Sequence, residues 1–381
     1  MARLGDYIEQ IRGVSYKPED VCTAQDKDAV AILRANNIQD DGLNFDDLVY
    51  VKKSKVSAIQ YIKAGDIVVC ASSGSKNLVG KAAIATEDMD FSFGAFCKVV
   101  RPRKLLPSYV GHYFQSPKYR NKISELAGGA NINNIRNEHI DELDIVVPNT
   151  DEQERISIEL NKNCYLIALR KQQLSKLDEL VKSRFIELFG APILNPKGFA
   201  EGTVNEYCKM TQGTQIPMSE QISEYQQGYY RYLYIRDLKY DDSNWIYVQD
   251  KYDDKKLTEK DLVVVNTGNT AGEIYYGKDG ILSNNLFKVS FDTNILNTTY
   301  MFAYFSSPEF QSMLWSEMKE GTQPHLGHKI FGSKKLIIPP IDLQNQFAAF
   351  VEQTDKSKFE IQQSLEKLET LKKALMQKYF G

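Results

Sequence analysis

Two short stretches of the chain are rich in small and polar residues that could contact nucleic acid. Each follows an apolar run, one ending near Ala71 and the other near Val265, and each carries a glycine. The candidate contact residues are Ser72, Ser73, Ser75, Lys76, Asn77 and Lys81 in the first stretch, and Asn266, Thr267, Asn269 and Thr270 in the second. Small residues let the backbone approach phosphates, and the polar side chains supply hydrogen-bond donors. A plain solvated hairpin loop has the same composition and stays an open alternative.

Two further sets of polar residues could read bases. One comprises Asn131, Asn133, Asn134 and Arg136, with Gln323, His325 and Lys329 as its counterparts. Asn and Gln suit bidentate contacts to adenine, and Arg or Lys suit guanine, although ordinary polar turns look alike. The other set comprises Arg34, Asn36 and Asn37, with Arg231 and Arg236 as counterparts, and salt bridges within a domain would explain it equally well. The neighbouring Tyr229, Tyr230, Tyr232 and Tyr234 are expected to pack as a strand face rather than to stack on bases.

No sequence motif indicates catalysis or a metal. There is no GxxxxGK[ST] loop for ATP, no Asn/Asp-Pro-Pro-Tyr/Phe motif of adenine methylases, and no GxGxxG or GxSxG. The five cysteines form no CxxC pair, and the four histidines, His112, His139, His325 and His328, show no ligand spacing. We therefore expect no catalytic residue, no metal site and no cofactor bound by this chain.

The composition places the chain among soluble globular proteins. Its 381 residues suit two or three domains, with 42% hydrophobic and 25% charged residues. No run of about 18 apolar residues predicts a membrane helix, and scattered cysteines in odd number fit a reducing cytoplasm. The net charge of -3 argues weakly against nucleic-acid binding, so a DNA footprint would have to be local.

The chain repeats itself at a spacing of 191 residues. Tyr109, Tyr113, Phe114, Ser116 and Pro117 match Tyr300, Tyr304, Phe305, Ser307 and Pro308, and Pro148 and Gln153 match Pro339 and Gln344. Residues 109–190 and 300–381 align without a gap, whereas upstream the match is looser, as between Gly13 and Gly213. A period this long indicates duplication of a whole domain with its linker.

Each repeat begins with β-rich runs and ends in a long helix. The predicted strands are Ile67–Ala71, Phe96–Arg101 and Ile145–Val147, then Leu262–Val265, Leu286–Phe291 and Leu336–Ile338, and short helices are expected at Tyr109–Phe114 and Tyr300–Phe305. Residues 151–188 and 342–379 lack Gly and Pro. Asp151 and Asp342 are expected as N-caps, and Gly190 and Gly381 as C-terminal caps.

The two predicted helices carry an apolar seam. Its residues recur with a heptad spacing that Thr354 interrupts: Leu160, Ile167, Leu174 and Val181, then Phe347, Ile361, Leu368 and Leu375. About 38 residues give a helix about 57 Å long. A helix with one apolar stripe needs a partner, and the two could pair antiparallel, with the globular domains at opposite ends. Packing of each helix on its own domain, or homodimerisation, is the alternative.

This organisation resembles the specificity subunits of type I restriction-modification systems. The resemblance covers the whole chain and rests on the order domain–helix–domain–helix, on the segments IVVPNTDEQERI and LIIPPIDLQNQF that open the helices, and on the ending SRFIELFG. The second segment departs at Leu343, where the family usually has an acidic residue. The resemblance implies a mixed α/β fold with target-recognition domains at 1–150 and 191–341, and antiparallel coiled-coil spacer helices at 151–190 and 342–381.

The resemblance also implies a function. Each recognition domain would read one half of a bipartite, asymmetric site in double-stranded DNA, and the paired helices would set the spacer between the halves. Two methyltransferase subunits would bind the chain and supply S-adenosylmethionine and adenine methylation. A translocating restriction subunit would join and use ATP. The chain itself would be non-catalytic and cytoplasmic.

Overall fold

In a computed structural model of the chain, residues 1–75, 77–126, 133–240, 244–318 and 324–381 are described, with the backbone alone at Asn133. The chain forms two compact units. Unit 1 comprises Met1–Gln173 and Ile361–Gly381, and unit 2 comprises Leu174–Glu360. Each unit thus combines one repeat with part of both long helices.

The first repeat contains short strands followed by helices. Its strands are β1 (Ala2–Arg3), β2 (Ile8–Arg12), β3 (Val21–Cys22), β4 (Ala29–Leu33), β5 (Ile38–Gln39), β6 (Gly42–Leu43), β7 (Val49–Lys52), β8 (Ile67–Cys70), β9 (Ser72–Ser73), β10 (Ala82–Ile84), β11 (Ser92–Phe93), β12 (Cys97–Pro102), β13 (Asn133–Asn134) and β14 (Asp144–Ile145). Its helices are α1 (Pro107–Gln115), α2 (Pro117–Leu126), α3 (Asn137–Asp141) and α4 (Thr150–Phe189).

The second repeat follows a similar plan, in which strands lead into helices at its end. Its strands are β15 (Ala200–Thr203), β16 (Cys208–Gln212), β17 (Tyr229–Leu233), β18 (Ile246–Gln249), β19 (Lys256–Leu257), β20 (Leu262–Val265), β21 (Ile274–Tyr276), β22 (Gly280–Leu282), β23 (Leu286–Phe291) and β24 (Lys335–Ile338). Its helices are α5 (Val204–Tyr207), α6 (Ile235–Lys239), α7 (Thr298–Phe305), α8 (Pro308–Glu317), α9 (His328–Gly332) and α10 (Ile341–Phe380).

The main sheets of the two repeats have one topology. Unit 1 has the order β10-β8-β12-β2, and unit 2 has the matching order β21-β20-β23-β16. The central strands β8 and β20 are continuous apolar runs and fully buried, because both faces of the sheet are covered. A second sheet pairs β4 with β11 in parallel in unit 1, and β17 with β22 in unit 2. The predicted duplication and mixed α/β class are confirmed.

The matched Tyr and Ser residues make equivalent hydrogen bonds in the two repeats. The Tyr109 hydroxyl donates to Val146 O at 2.9 Å, and the Tyr300 hydroxyl donates to Ile337 O at 2.8 Å. Ser116 and Ser307 stand before a helix-starting proline, and each accepts from the backbone N–H three residues on, at 3.3 Å. The repeated serine is therefore an N-cap.

The two long helices pack antiparallel, as the seam predicts. In unit 1, Asn163 Nδ2 donates to Leu368 O at 3.2 Å and Arg170 Nε to Ser364 Oγ at 3.1 Å. In unit 2, Lys358 lies 2.6 Å from Asp178, and the rings of Phe185 and Phe347 are 5.4 Å apart. In both units the residue number rises along α4 while it falls along α10. The seam residues Leu160, Ile167, Leu174, Val181, Phe347, Ile361, Leu368 and Leu375 are buried or half-buried.

The end of each long helix packs an aromatic side chain into a core. In unit 1, the Phe380 ring lies 5.2 Å from that of Tyr109, and in unit 2 the Phe189 ring lies 4.7 Å from that of Tyr300. Gly190 ends α4 with φ +78°, as predicted for a C-terminal cap. The predicted N-caps are wrong. Asp151 and Asp342 lie inside the first turns, and Asn149 caps α4, because its side chain accepts from Glu152 N at 2.9 Å.

A buried glutamine ties each long helix to the start of a short helix, α1 in unit 1 and α7 in unit 2. Gln153 accepts from Leu106 N and donates to Pro148 O, both at 2.9 Å. Gln344 accepts from Asn297 N at 2.8 Å and donates to Pro339 O at 2.7 Å and Ile295 O at 3.0 Å. The amide is required because it must accept and donate at once.

Candidate nucleic-acid interface

In unit 1 the structure brings two of the predicted sets together. Strands β9 and β13 pair antiparallel, with Ser73 opposite Asn133 and Ser72 opposite Asn134. Ile135 N donates to Ala71 O at 2.8 Å, which fastens the pairing to the end of β8. We call β9, β13 and the flanking Ser75, Asn77 and Arg136 junction 1. Asn134, Ser75, Asn77 and Arg136 are exposed there, and the Arg136 guanidinium lies 3.7 Å from Glu138.

Unit 2 repeats this arrangement with other side chains. Thr267 and His325 form a β-bridge, and Leu326 N donates to Asn266 O at 2.8 Å. Thr267 Oγ1 lies 3.3 Å from His325 Nδ1. We call Thr267–Thr270 with His325 and Lys329 junction 2, in which Asn269, His325 and Lys329 are exposed. Gly268 has φ +92°, which favours glycine at this turn.

Junctions 1 and 2 occupy equivalent places. Each follows the buried central strand of its main sheet, β8 or β20, and pairs with the segment that leads into a short helix, α3 or α9. In unit 1 the loop is held from behind by Arg120, which donates to Asn77 O at 2.9 Å and Val79 O at 3.0 Å. The sequence carried no signal for Arg120, since its role depends on the fold of α2 over the loop.

The third predicted set, Arg34 with its neighbours and the counterparts Arg231 and Arg236, lies outside the junctions. Arg34 Nη2 lies 2.8 Å from Asp47 Oδ2, and Asn36 Nδ2 donates to the same oxygen at 3.1 Å. In unit 2, the Arg231 guanidinium lies 4.3 Å from the Trp245 ring centroid, and that of Arg236 lies 5.6 Å from the ring centroid of Tyr234. These groups have intramolecular partners, as the salt-bridge alternative expects, and no sequence pattern marked Asp47 or Trp245 as those partners.

Some candidates are buried and support backbone. Asn37 is 0% exposed, and it accepts from Arg34 N at 2.8 Å and donates to Asp46 O at 2.8 Å. Asn266 is 4% exposed and receives a hydrogen bond from Thr267 Oγ1 at 3.0 Å. These two amides shape loops and are not directed at a ligand. Lys81 is half-buried and lies 3.4 Å from Asp40, and Thr270 is half-buried in its turn.

Three candidates, Lys76, Asn131 and Gln323, lie outside the described residues, as does the side chain of Asn133. Contact with DNA by the exposed candidates stays a prediction. Tyr230, Tyr232 and Tyr234 pack around one small apolar cluster with Val248 and Ile281, which supports strand packing over base stacking.

Burial shifts several titratable groups near the junctions. Burial, with a smaller contribution from His325, lowers the pKa of His328, whose ring lies 4.7 Å from that of Phe287. Burial raises the pKa of the Cys70 thiol to about 11 and that of Cys97 to about 12, so both behave as small apolar residues. In the described part of the chain, no group of three or more His, Cys, Asp or Glu side chains could hold a metal ion. Nor does any helix described there have the length and apolar character needed to cross a membrane.

The chain is similar in sequence to known proteins. The family described as type I restriction modification DNA specificity domain matches residues 1–179 and again residues 196–373. The type I restriction enzyme StySPI specificity subunit of Salmonella potsdam is 42% identical over 173 residues, and the EcoKI specificity subunit of Escherichia coli (strain K12) is 41% identical over 173 residues. Each alignment covers 45% of this chain and 37% of the relative, so this chain aligns with well under half of either protein.

Solved structures share the fold. The S subunit of the type I restriction-modification system from M. genitalium matches with a TM-score of 0.61 and 16% identity, over 100% of this chain and 95% of that one. A chain from a study of complex assembly and conformational transition of the type I R-M system matches with a TM-score of 0.55 and 14% identity, over 98% and 97%. With two family matches that together cover most of its length, this chain belongs to the family of the type I restriction modification DNA specificity domain.

Proposed function

We propose that the chain is the DNA sequence-specificity subunit of a type I restriction-modification complex. In this role it reads a bipartite, asymmetric site in double-stranded DNA and catalyses no reaction itself. The family membership and the names of the relatives StySPI and EcoKI support the role.

The observation that carries the proposal is the recurrence of junctions 1 and 2. An antiparallel backbone pairing stands at the same place in both, whereas the exposed groups differ: Asn134 and Arg136 stand in junction 1, and His325 and Lys329 in junction 2. Base edges are distinguished by the pattern of donors and acceptors presented to them. Two junctions with equivalent backbone positions and different exposed side chains therefore suit two half-sites of different sequence.

The partners follow from the same role. We expect two methyltransferase subunits, which would bring S-adenosylmethionine, and restriction subunits, which would use ATP, on a cytoplasmic complex. The long helices would set the spacer between half-sites. Phosphate contacts should make a large part of the affinity electrostatic, so binding should weaken as salt rises.

The test is a genome-wide map of methylated adenines in cells that carry the methyltransferase subunit, with and without this chain. We expect a two-part motif that is methylated only when the chain is present. Asn134→Ala should change preference in one half of the motif, and His325→Ala should change the other, so each variant is the matched control for its counterpart.

Two results would contradict the proposal. A methylation pattern that is the same with and without the chain would exclude the specificity role. Methylation or cleavage of DNA by the purified chain alone, supplied with S-adenosylmethionine or Mg²⁺ and ATP, would show that it is itself an enzyme.

A further inference from the structure

A buried polar network lies behind junction 1. Lys98, on β12, is 7% exposed, and its amine donates to Gln10 Oε1 and Asn137 Oδ1, both at 2.9 Å. Gln10 Nε2 donates in turn to Asn137 O at 2.9 Å and Asp141 Oδ1 at 2.7 Å. The network thus ties the first and last residues of α3 to the sheet.

The position of α3 determines where junction 1 presents its side chains. Asn134 and Arg136 lie within three residues of Asn137, and Arg136 is the residue that caps α3. The β9–β13 pairing holds the segment on its other side. A shift of α3 across the sheet would therefore move Asn134 and Arg136 directly.

Lys98 is buried against the preference of its charged amine for water. Burial lowers the pKa of the Lys98 amine to about 8, although Asp141 and Glu138 act in the opposite direction. In the described part of the chain its hydrogen-bond partners are neutral amide oxygens. A buried charge without an ion pair destabilises a protein, so stability alone does not explain this lysine.

The second repeat builds the same place without the lysine and the glutamine. In unit 1, Val100 of the third strand of the main sheet pairs with Ile67 on one side and Gln10 on the other. In unit 2, Val289 pairs in the same way with Leu262 and Met210, so Val100 corresponds to Val289. The positions of Gln10 and Lys98 therefore hold Met210 and Phe287. In place of Asn137 stands His328, whose ring packs on that of Phe287.

A compensating pair confirms that these positions correspond. A Cβ added at Gly5 would lie 2.8 Å from Cβ of Asp141. In unit 2 the glycine, Gly332, stands at the position of Asp141, and Asn205 stands at that of Gly5. A Cβ added at Gly332 would lie 2.0 Å from Oδ1 of Asn205. The contact between the segment before the first main strand and the later short helix thus forms in both repeats, and in the second repeat it forms without a lysine network.

From this difference we propose that Lys98 is a positioning residue for sequence recognition, which holds α3 so that junction 1 discriminates its half-site. The inference rests on the proposed function, and it assigns to a buried residue a part in half-site specificity. Phe287 and His328 support junction 2 in the corresponding way.

The test uses the full chain in its complex with methyltransferase subunits, with adenine methylation mapped across a genome. Lys98→Met keeps the aliphatic stem and removes the amine. We expect discrimination against single mismatches in the half-site read by junction 1 to fall about tenfold, within the range of one good base contact, with the other half-site unchanged. Phe287→Leu is the matched control and should leave the half-site of junction 1 unchanged.

A second variant covers failure of the first to fold. The triple variant Gln10→Met, Lys98→Phe, Asn137→His transplants the support of unit 2, and we expect it to fold yet to lose the preference of junction 1. Wild-type discrimination in both variants, or an equal loss in both half-sites, would overturn the positioning role while leaving the specificity role intact. A wild-type complex without any motif would overturn both.

Discussion

The glutamines that open the long helices should be among the most important polar side chains for stability. Gln153 is 4% exposed and Gln344 is 0% exposed, and each joins three chain segments through its amide. Replacing Gln153 by Leu keeps the apolar bulk but removes both of its hydrogen bonds and leaves Leu106 N and Pro148 O without a protein partner from this side chain.

The expected cost follows from those bonds. Each contributes about 1 kcal/mol, and a buried group left unpaired costs about 1–3 kcal/mol. Water can reach the half-buried Leu106 and Pro148 in part. We therefore expect Gln153→Leu to lower the free energy of unfolding of unit 1 by about 3 kcal/mol, and Gln344→Leu to lower that of unit 2 by about 1 kcal/mol more, because it breaks a third bond.

The two units can be followed separately. Both tryptophans, Trp245 and Trp315, belong to unit 2, so tryptophan fluorescence during urea unfolding reports that unit. Hydrogen exchange of the α1 amides reports the stability of unit 1, and that of the α7 amides reports the stability of unit 2. A loss of 3 kcal/mol speeds exchange through local opening by roughly 100-fold. Gln344→Leu should shift the fluorescence transition, and Gln153→Leu should accelerate exchange in α1.

Glu154→Gln is the control, because Glu154 is exposed beside Gln153 and should leave both measurements unchanged. If both leucine variants match this control, the glutamines do not hold the helices and the reasoning from buried amides fails.

Three other predictions concern different parts of the molecule. Burial lowers the pKa of His112 to about 4, below the ordinary 6.5, despite its hydrogen bond to Asn161. Between these pH values the unfolded chain therefore binds one proton more than the folded chain. The free energy of unfolding should fall by about 2 kcal/mol between pH 7 and pH 5. His112→Gln should remove this pH dependence in urea unfolding, and an unchanged dependence would mean that another group causes it. Exchange of residues 1–150 for the corresponding domain of another family member should change one half-site of the methylated motif, and a change in both would refute modular reading. Insertion of one heptad into each long helix adds about 10 Å and should lengthen the spacer by about three base pairs, whereas an unchanged spacer would exclude the helices as its determinant.

The sequence predicted elements best where one physical signal dominated. The central strands at Leu262–Val265 and Leu286–Phe291 were located to the residue, because buried apolar runs between polar turns have few alternatives. The long helices were found from their length without Gly or Pro. The N-cap of α4 was missed, because Asn149 and Asp151 are both good caps and only the folded structure decides which side chain reaches a free N–H.

The candidate interface was harder to predict. Composition identified loops, but not that Ser72 and Asn134 would lie opposite each other, since their pairing spans distant parts of the chain. It also did not separate exposed amides from buried ones. Asn37 and Asn134 are the same residue type, yet one is fully enclosed and the other faces solvent. Only the packing around each amide decides this.

The opposed glycines limit how such proteins can recombine. Gly5 accommodates Asp141, and Asn205 is accommodated by Gly332. Consider a chimera with a crossover between these positions, which joins the start of the second repeat to α3 of the first. It would bring Asn205 against Asp141 in a space that holds only one side chain. The reciprocal chimera would place Gly5 beside Gly332 and leave a hole. Viable hybrids should therefore inherit both members of each pair from one parent, which favours crossovers in the long helices over crossovers inside a recognition domain.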